Sequence, residues 1–325
     1  MFSLGLDIGY SNLKMAFGEK GKALTTKVLP VGAGPLELLP QQLSGGTADV
    51  IQVLIDNEKW VAGVEPERLQ GWDRELHGDY PSTKSYRALF YSALLMCEQP
   101  QIDVLVTGLP VSQFLEPGRR EALCDRLVGE HQITPKRTVT VKEVKVVPQP
   151  SGAFMDVVNS STDPILLDMI SEGRTLVVDP GFFSVDWVLF NEGEVRQNSS
   201  GTSLKAMSML LAEINRLIQE DHGAAPGVDR IEKAVRAGKD SLLLLGQRIE
   251  ITPYFTAAAQ KVAPNALVPL RQSMREDGLN VDVAVLAGGG ATAYREAVLD
   301  IFPRSKIVVS ANPVLANATG FWHCA

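Results

Sequence analysis

The chain has 325 residues, 45% of them hydrophobic, and a formal net charge of −7 at pH 7. This length and apolar content suffice for a substantial core and are typical of two domains. The negative charge argues against direct binding to nucleic acid, which depends on clustered lysine and arginine, so we expect any link to DNA to pass through another protein. The start has no basic leader and no apolar run approaches the length of a membrane span, which predicts a cytoplasmic protein without membrane contact.

The first element is an apolar strand that turns sharply into a second strand, over residues 4–14. Gly9 permits the reversal, so Asp7 and Ser11 are expected at a hairpin tip. Such a tip suits a phosphate, because glycine admits close approach, amides and the Ser11 hydroxyl donate, and Lys14 adds positive charge. Asp7 can hold a metal or its waters. For this motif alone, an ordinary turn is the alternative interpretation.

The next part of the chain is predicted from periodicity and turn residues. The patterns indicate a strand over residues 24–30, a hairpin of residues 50–55 and 59–64 around Asp56-Asn57, a helix capped by Ser82 that runs to about residue 98, a strand over 103–108, an amphipathic helix over 116–130 and a strand over 138–147. Acidic residues alternate with the arginines of the second helix, so a solvated face is the simpler interpretation of that basic patch.

Residues 176–188 repeat the design of the first hairpin. Superposing Asp179 on Asp7 places Gly181 on Gly9, and an apolar strand follows in both. Two such hairpins predict a duplicated domain, with one hairpin from each half facing a shared cleft.

The remaining elements follow in chain order. The patterns predict a helix opened by residues 198–204 and running to about 219, helices over 229–237, 254–275 and 292–299, strands over 283–286 and 306–309, and a last helix over about 313–322. The strand before Gly288, Gly289 and Gly290 leads into a helix, where phosphates or flat ligands can approach the backbone. Ala316, Ala318 and Gly320 are small enough for close packing of the last helix.

In the order and type of these elements, the chain resembles the actin, Hsp70 and sugar-kinase superfamily, and in particular the bacterial actin-like proteins of plasmid segregation, the ParM or StbA type. The likeness covers nearly the whole chain and rests on residues 4–14, 80–82, 86–89, 106–111, 144–149, 176–188, 199–204 and 287–290. The resemblance implies an α/β fold: a duplicated actin-like (ribonuclease H-like) ATPase fold with two lobes around a nucleotide cleft. It implies a first lobe of residues 1–165, with a small outer subdomain at about 31–80 and completion by a C-terminal helix at about 311–325, and a second lobe of residues 166–310.

The resemblance also implies a site for ATP or GTP with Mg²⁺. Asp7 and Asp179 would hold the metal or its waters, and Gln149 would orient the water that attacks the γ-phosphate, which is a positioning task within reach of a carboxamide. A helix-capping residue is the alternative for Gln149. The remaining contacts to phosphates, ribose and base would come from Gly9, Ser11, Asn12, Lys14, Gly181, Ser184, Gly201, Gly288, Gly289 and Gly290.

The second hairpin departs from the pattern of the family. Pro180 removes one amide donor, and Phe182 and Phe183 stand where the family has small or hydroxyl residues. Ser184 could restore a hydroxyl one position later. The departure concerns contact with the γ-phosphate, and therefore hydrolysis, more than nucleotide binding.

By resemblance, the protein is expected to polymerise with itself in its nucleoside triphosphate form and to disassemble after hydrolysis. Its filaments would segregate plasmid DNA through a DNA-binding adaptor on the centromere. A small-molecule kinase on the same fold is one alternative, although no aspartate of the first half lies in a recognisable motif for activating a substrate hydroxyl. A nucleotide-gated binding module is the other alternative.

Overall fold

The computed structural model describes residues 1–40, 50–275 and 278–325. Residues 41–49 of the predicted outer subdomain and residues 276–277 of the predicted second lobe lie outside this range. The elements up to residue 160 are β1 (Phe2–Ile8), β2 (Asn12–Glu19), β3 (Thr25–Pro30), β4 (Gly32–Pro35), β5 (Ile51–Ile55), β6 (Glu58–Val64), α1 (Lys84–Met96), β7 (Gln101–Leu109), α2 (Val111–Leu115), α3 (Arg119–Leu127), β8 (Gly129–Thr134), β9 (Arg137–Pro148) and α4 (Gln149–Ser160).

The later elements are α5 (Pro164–Glu172), β10 (Arg174–Pro180), β11 (Val185–Asn191), β12 (Glu194–Ser203), α6 (Met207–His222), α7 (Val228–Arg236), β13 (Ser241–Leu244), β14 (Gln247–Glu250), α8 (Thr252–Ala266), α9 (Val268–Ser273), β15 (Val283–Leu286), α10 (Ala291–Ile301), β16 (Lys306–Val309) and α11 (Ala316–His323). Short 3₁₀ turns lie at Leu36–Leu38, Pro66–Arg68 and Tyr80–Ser82.

The chain divides into two compact units, one of Met1–Ser160 with Val314–Ala325 and one of Ser161–Pro313. The sheet of the first unit has the order β3-β2-β1-β7-β9-β8, and the sheet of the second has the order β12-β11-β10-β15-β16. In both, the first three strands are antiparallel and the next two add in parallel. The two sheets therefore repeat one design, and the predicted duplicated α/β fold is confirmed. The lobe boundaries given above stay predictions.

The last helix packs on the first unit through backbone contacts that only small residues permit. A side chain at Gly5 of β1 would collide with the carbonyl of Ala318, and one at Gly320 would collide with the carbonyl of Gly152 in α4. The Asn317 Oδ1 atom accepts a hydrogen bond from the Ala153 amide at 3.2 Å. The predicted close packing of this helix is confirmed, and it fixes the start of α4 beside β1.

Turn chemistry predicts the small hairpin of β5 and β6 correctly. Asp56 and Asn57 have φ angles of 50° and 67°, the left-handed conformation that a two-residue hairpin turn requires. This hairpin joins β4 in a sheet of three strands.

Several predicted helices have different limits. The helix predicted over residues 116–130 is the shorter helix α3, which begins only after Pro117 and Gly118, where Gly118 has a φ of 80°, and which ends before β8. The cap of α1 is Thr83, which accepts from the Tyr86 amide, rather than Ser82. The helix predicted over 254–275 ends at Ala266, and α9 starts after Leu267.

Three strands of the second unit were not expected. Residues 198–203, predicted to open a helix, are the end of β12, and the helix α6 begins only at Met207. The hairpin of β13 and β14 was not predicted, because the run of four leucines before Gly246 shows no alternation.

Within the described residues, no helix combines the length and the apolar character needed to span a bilayer.

Candidate functional site

The first hairpin holds a buried aspartate between a lysine and an amide. Asp7 and Lys14 are register partners on β1 and β2, so their side chains share one face of the sheet. The Lys14 Nζ atom lies 2.8 Å from Asp7 Oδ2, and the Gln149 Nε2 atom donates to Asp7 Oδ1 at 3.3 Å. Asp7 is only 2% exposed. A charge buried to this extent requires such partners, because an unpaired carboxylate would cost several kcal/mol.

Gln149 reaches Asp7 because β9 runs directly into α4 at this residue. Neighbouring β7 contributes Gly108, where a Cβ atom would lie 2.8 Å from Gln149 Cγ. Glycine at this position therefore leaves the space that the glutamine side chain occupies. The structure brings together three of the predicted site residues, Asp7, Lys14 and Gln149.

The tip of the hairpin is short and internally bonded. The Gly9 amide donates to the Asn12 carbonyl at 3.0 Å, and the Asn12 Nδ2 atom donates to Ser11 Oγ at 3.2 Å. Gly9 is not in the left-handed region, and a Cβ atom there would lie 3.4 Å from the Asn12 carbonyl oxygen, which is an ordinary contact. The turn would therefore also admit a Cβ atom, which would lie 3.6 Å from Lys14 Nζ. The close approach of a phosphate that Gly9 is expected to permit stays a prediction.

Tyr10 anchors this tip to a later segment, which the sequence did not indicate. Its hydroxyl donates to the His77 carbonyl at 2.8 Å, its own carbonyl accepts from Arg74 at 2.9 Å, and its ring stacks on Tyr80 with 4.9 Å between centroids. Burial raises the pKa of the Tyr80 hydroxyl far above its ordinary value, so this ring stays neutral. The tip is thus held in place from outside the hairpin.

The second hairpin has the same register as the first, but the residue that faces its aspartate is acidic rather than basic. Asp179 faces Asp186 across β10 and β11, and both residues are buried. Asp186 accepts two hydroxyl hydrogen bonds, from Ser184 Oγ to Oδ2 at 2.6 Å and from Thr202 Oγ1 to Oδ1 at 2.5 Å. The Ser184 hydroxyl is therefore engaged inside the hairpin rather than held toward a ligand. Sequence reasoning missed Asp186, although it stands at the same offset from Asp179 as Lys14 from Asp7.

Most of the predicted glycines of the second unit serve packing. A side chain at Gly288, whose φ is +73°, would collide with Asp179 Oδ1, and a Cβ atom at Gly290 would lie 2.8 Å from Pro180 Cβ. At Gly201 a Cβ atom would lie 2.6 Å from the Trp187 ring, so this glycine makes room for the indole. Only Gly289 of the triplet is exposed, with no heavy atom near its absent side chain. Gly181 is tighter than Gly9, since a Cβ atom would lie 3.1 Å from the Ser184 carbonyl oxygen.

The two predicted metal ligands, Asp7 and Asp179, belong to different units. Within the described residues, no group of three or more histidine, cysteine, aspartate or glutamate side chains is arranged to hold a metal ion. A metal at either hairpin would therefore need ligands besides protein carboxylates, which is the usual situation of Mg²⁺ on a nucleotide, where phosphates and waters complete the shell.

Comparison with known families and structures agrees with this architecture. Residues 5–152 match the family described as the N-terminal domain of actin-like proteins, and residues 177–300 match the C-terminal domain of the archaeal, MreB-like actin homologues. No curated protein sequence matches the chain.

Solved structures align with the chain along its whole length. An archaeal actin homologue in complex with ADP gives a TM-score of 0.76 at 18% identity, over 100% of this chain and 99% of its own. The ParM of a 15-stranded filament from Clostridium botulinum gives 0.74 at 18% identity, over 99% and 98%. Bacillus thuringiensis ParM with AMPPNP gives 0.64 at 12% identity, over 100% and 98%. These likenesses confirm the actin-like fold that the sequence predicts.

Proposed function

Since this chain is an actin-like protein, we propose that it binds ATP or GTP, polymerises with itself in that form and disassembles after hydrolysing the nucleotide. The proposal is supported by the family matches over both units and by the ADP and filament states of structures with the same fold. Its cargo would be plasmid DNA. The net charge of −7 favours attachment through a DNA-binding adaptor rather than by direct contact.

One observation carries the proposal, the buried Asp7 that Lys14 and Gln149 contact beside the half-buried hairpin tip. Lys14 supplies a positive charge for phosphate oxygens, and Ser11 and Asn12 supply polar groups at the tip. Asp7, with Asp179 in the second unit, would hold Mg²⁺ or its waters. A bound Mg²⁺ offsets the charge of the phosphates.

Gln149 is proposed to orient the attacking water. Its Nε2 atom donates to Asp7, which fixes the carboxamide and leaves the Oε1 atom as an acceptor for a water hydrogen. A carboxamide has no basic pKa to exploit, so its contribution is the placement of the nucleophile. The contact with Asp7 favours this role over that of a helix cap.

The second hairpin is proposed to contribute less to phosphate binding. Pro180 has no amide hydrogen to donate, and the Ser184 hydroxyl donates to Asp186. Gly201, Gly288 and Gly290 are required by packing, which leaves Gly289 as the position of that group where a nucleotide could approach the backbone closely.

Sedimentation tests the proposal. The purified protein at tens of micromolar should scatter light and pellet after addition of Mg-ATP or Mg-GTP, and should return to the supernatant as the nucleotide is hydrolysed. Chelation of Mg²⁺ with EDTA is the control. A protein that binds nucleotide by calorimetry and stays monomeric in analytical ultracentrifugation would rule out the filament and favour a kinase or a binding module.

The variant Gln149→Ala separates hydrolysis from binding. We expect nearly unchanged nucleotide affinity, a barrier to phosphate release raised by roughly 1 to 4 kcal/mol, and filaments that persist. Gln132→Ala, at an exposed position of β8 in the same unit, is the matched control. Release and disassembly at the parental rate in Gln149→Ala would leave the residue as a structural contact only.

A further inference from the structure

The first unit contains a cavity of about 330 Å³ that shares no residue with the two hairpins. It is bounded by the end of β7, the helices α2 and α3 and the turn Tyr80–Ser82. Leu109 and Leu123 form its apolar floor, and both are almost fully buried. Pro117 and Ala122 extend the apolar surface at the side. The volume is that of one or two side chains rather than of a nucleotide.

The rim of the cavity carries a positive charge that the rest of the helix does not neutralise. Arg119 pairs with Asp79 at 2.6 Å and with Glu116 at 3.0 Å. Arg120 pairs with Glu121 at 3.3 Å and lies outside the cavity. Arg126 lines the cavity, and among the described residues it has no ion-pair partner. Both arginines are exposed, but Arg120 pairs with a neighbouring carboxylate, whereas Arg126 borders the cavity.

The cavity is already formed in the free chain. Its wall at Asp79 is held by the ion pair with Arg119, and the Ser82 amide donates to the Asp79 carbonyl at 2.8 Å. Between them, Tyr80 is buried and stacks on Tyr10. A preformed site loses little conformational freedom on binding, so a modest contact area can give measurable affinity.

The chemistry of the wall identifies the class of ligand. An apolar floor under a single uncompensated guanidinium matches an apolar side chain adjacent to a carboxylate. A nucleic acid would need a row of cations, which a chain of net charge −7 does not offer here. We propose that this cavity binds an acidic peptide segment of a partner protein, with an apolar side chain against Leu109 and Leu123 and a carboxylate on Arg126. The residues that line this cavity are not among those proposed to bind the nucleotide.

Selection from a phage-displayed library of random peptides on the full chain tests this inference. Depletion on the variant Arg126→Glu removes peptides that bind elsewhere. We expect the retained sequences to combine aspartate or glutamate with leucine or an aromatic residue. Labelled copies should bind the parent and lose about ten- to a hundredfold in affinity with Arg126→Ala, which is the value of one charge-assisted hydrogen bond.

Two further variants test whether the charge and the volume of the cavity are responsible for binding. Arg120→Glu makes a larger change of charge on the same helix outside the cavity, and it should leave peptide affinity unchanged. Ala122→Phe fills the cavity and should abolish binding, with thermal unfolding checked to show that the fold persists. The inference is overturned if the retained peptides bind Arg126→Glu as tightly as the parent or are basic. It is also overturned if labelled single-stranded oligothymidine, and no peptide, binds in a manner that requires Arg126.

Discussion

The two hairpins have the same backbone register, but the residue paired with the buried aspartate has opposite charge in the two. In the first unit, Asp7 faces Lys14 and forms an ion pair at 2.8 Å. In the second unit, Asp179 faces Asp186, a second carboxylate. Like charges directly opposite on a sheet are destabilising. The second hairpin is compatible with that arrangement because hydroxyl groups of Ser184 and Thr202 donate to Asp186.

The repeated design has one part that the two units share and one part in which they differ. The order of the first five strands and the register of the hairpins are common to both units. The strands β1, β10 and β11 at the centre of this pattern are apolar and buried on both faces. The residue opposite the aspartate differs between the units. It is the cationic Lys14 in the first hairpin and Asp186, whose carboxylate accepts from two hydroxyl groups, in the second. We therefore propose the first hairpin as the phosphate site and the second as the one that would order waters of a metal.

The largest effect is expected from Lys14→Ala. This change leaves Asp7 buried without its ion-pair partner, beside the Gln149 amide. The first unit should therefore lose about 3 kcal/mol of stability, the lower end of the range for breaking a buried pair. Nucleotide affinity should fall as well, because a charge is removed from the phosphates. Hydrogen exchange resolved by peptide measures the stability at β1 and β2.

Lys22→Ala is the control for Lys14→Ala. Lys22, in the turn after β2, pairs with Glu19 at the end of that strand, but both side chains are exposed, and exposed pairs of this kind contribute little. Equal loss of exchange protection in the two variants would mean that the burial of Asp7 does not determine the strength of its pair.

A smaller effect is expected from Asp186→Ala in the second hairpin. The Ser184 and Thr202 hydroxyls lose their acceptor, which costs about 1 to 3 kcal/mol, while repulsion with Asp179 is relieved and offsets part of that cost. The loss of exchange protection at β10 to β12 should therefore be below that of Lys14→Ala at β1 and β2. A gain of protection would show that the two carboxylates repel each other more than the hydroxyls compensate.

How much of the fold the sequence predicts depends on whether the signal is local. The strand over Lys306–Val309 and the turn at Asp56 and Asn57 are correct, because an apolar run and a turn dipeptide carry their own information. The strand β12 is not predicted, because its residues are polar and mostly exposed and form a strand only by pairing with β11. The predicted amphipathic helix is shorter than its apolar spacing suggests, because it begins only after Pro117 and Gly118 and ends before β8.

The site shows the same division. Asp7, Lys14 and Gln149 meet as the repeated motif and the resemblance imply. Glycine is required at Gly201 and Gly288 because a side chain there would collide with Trp187 and Asp179, which are distant in sequence. The Tyr10 anchor could not be predicted for the same reason, since Arg74 and His77 lie in a segment without periodicity.

The smallest effect on stability is expected from Gly9→Ala, and this variant asks whether the first hairpin contacts phosphate more closely than the second. Gly9 has no left-handed φ and its Cβ position is open to 3.4 Å, so stability should change by less than about 1 kcal/mol. If a phosphate approaches the backbone at this tip, the added methyl group should still lower Mg-ATP affinity, by roughly tenfold for 1.4 kcal/mol of lost contact.

Gly181→Ala is the matched variant, in which Mg-ATP affinity should change less because Pro180 and Ser184 offer few hydrogen bonds to a phosphate. Gly288→Ala is the opposite control, since its collision with Asp179 should destabilise the second unit whether or not nucleotide is present. Calorimetry with Mg-ATP, beside thermal unfolding of each variant, gives both quantities. Parental affinity in Gly9→Ala would show that the glycine is not kept for phosphate, and equal losses in Gly9→Ala and Gly181→Ala would show that the two tips contribute alike despite their different charges.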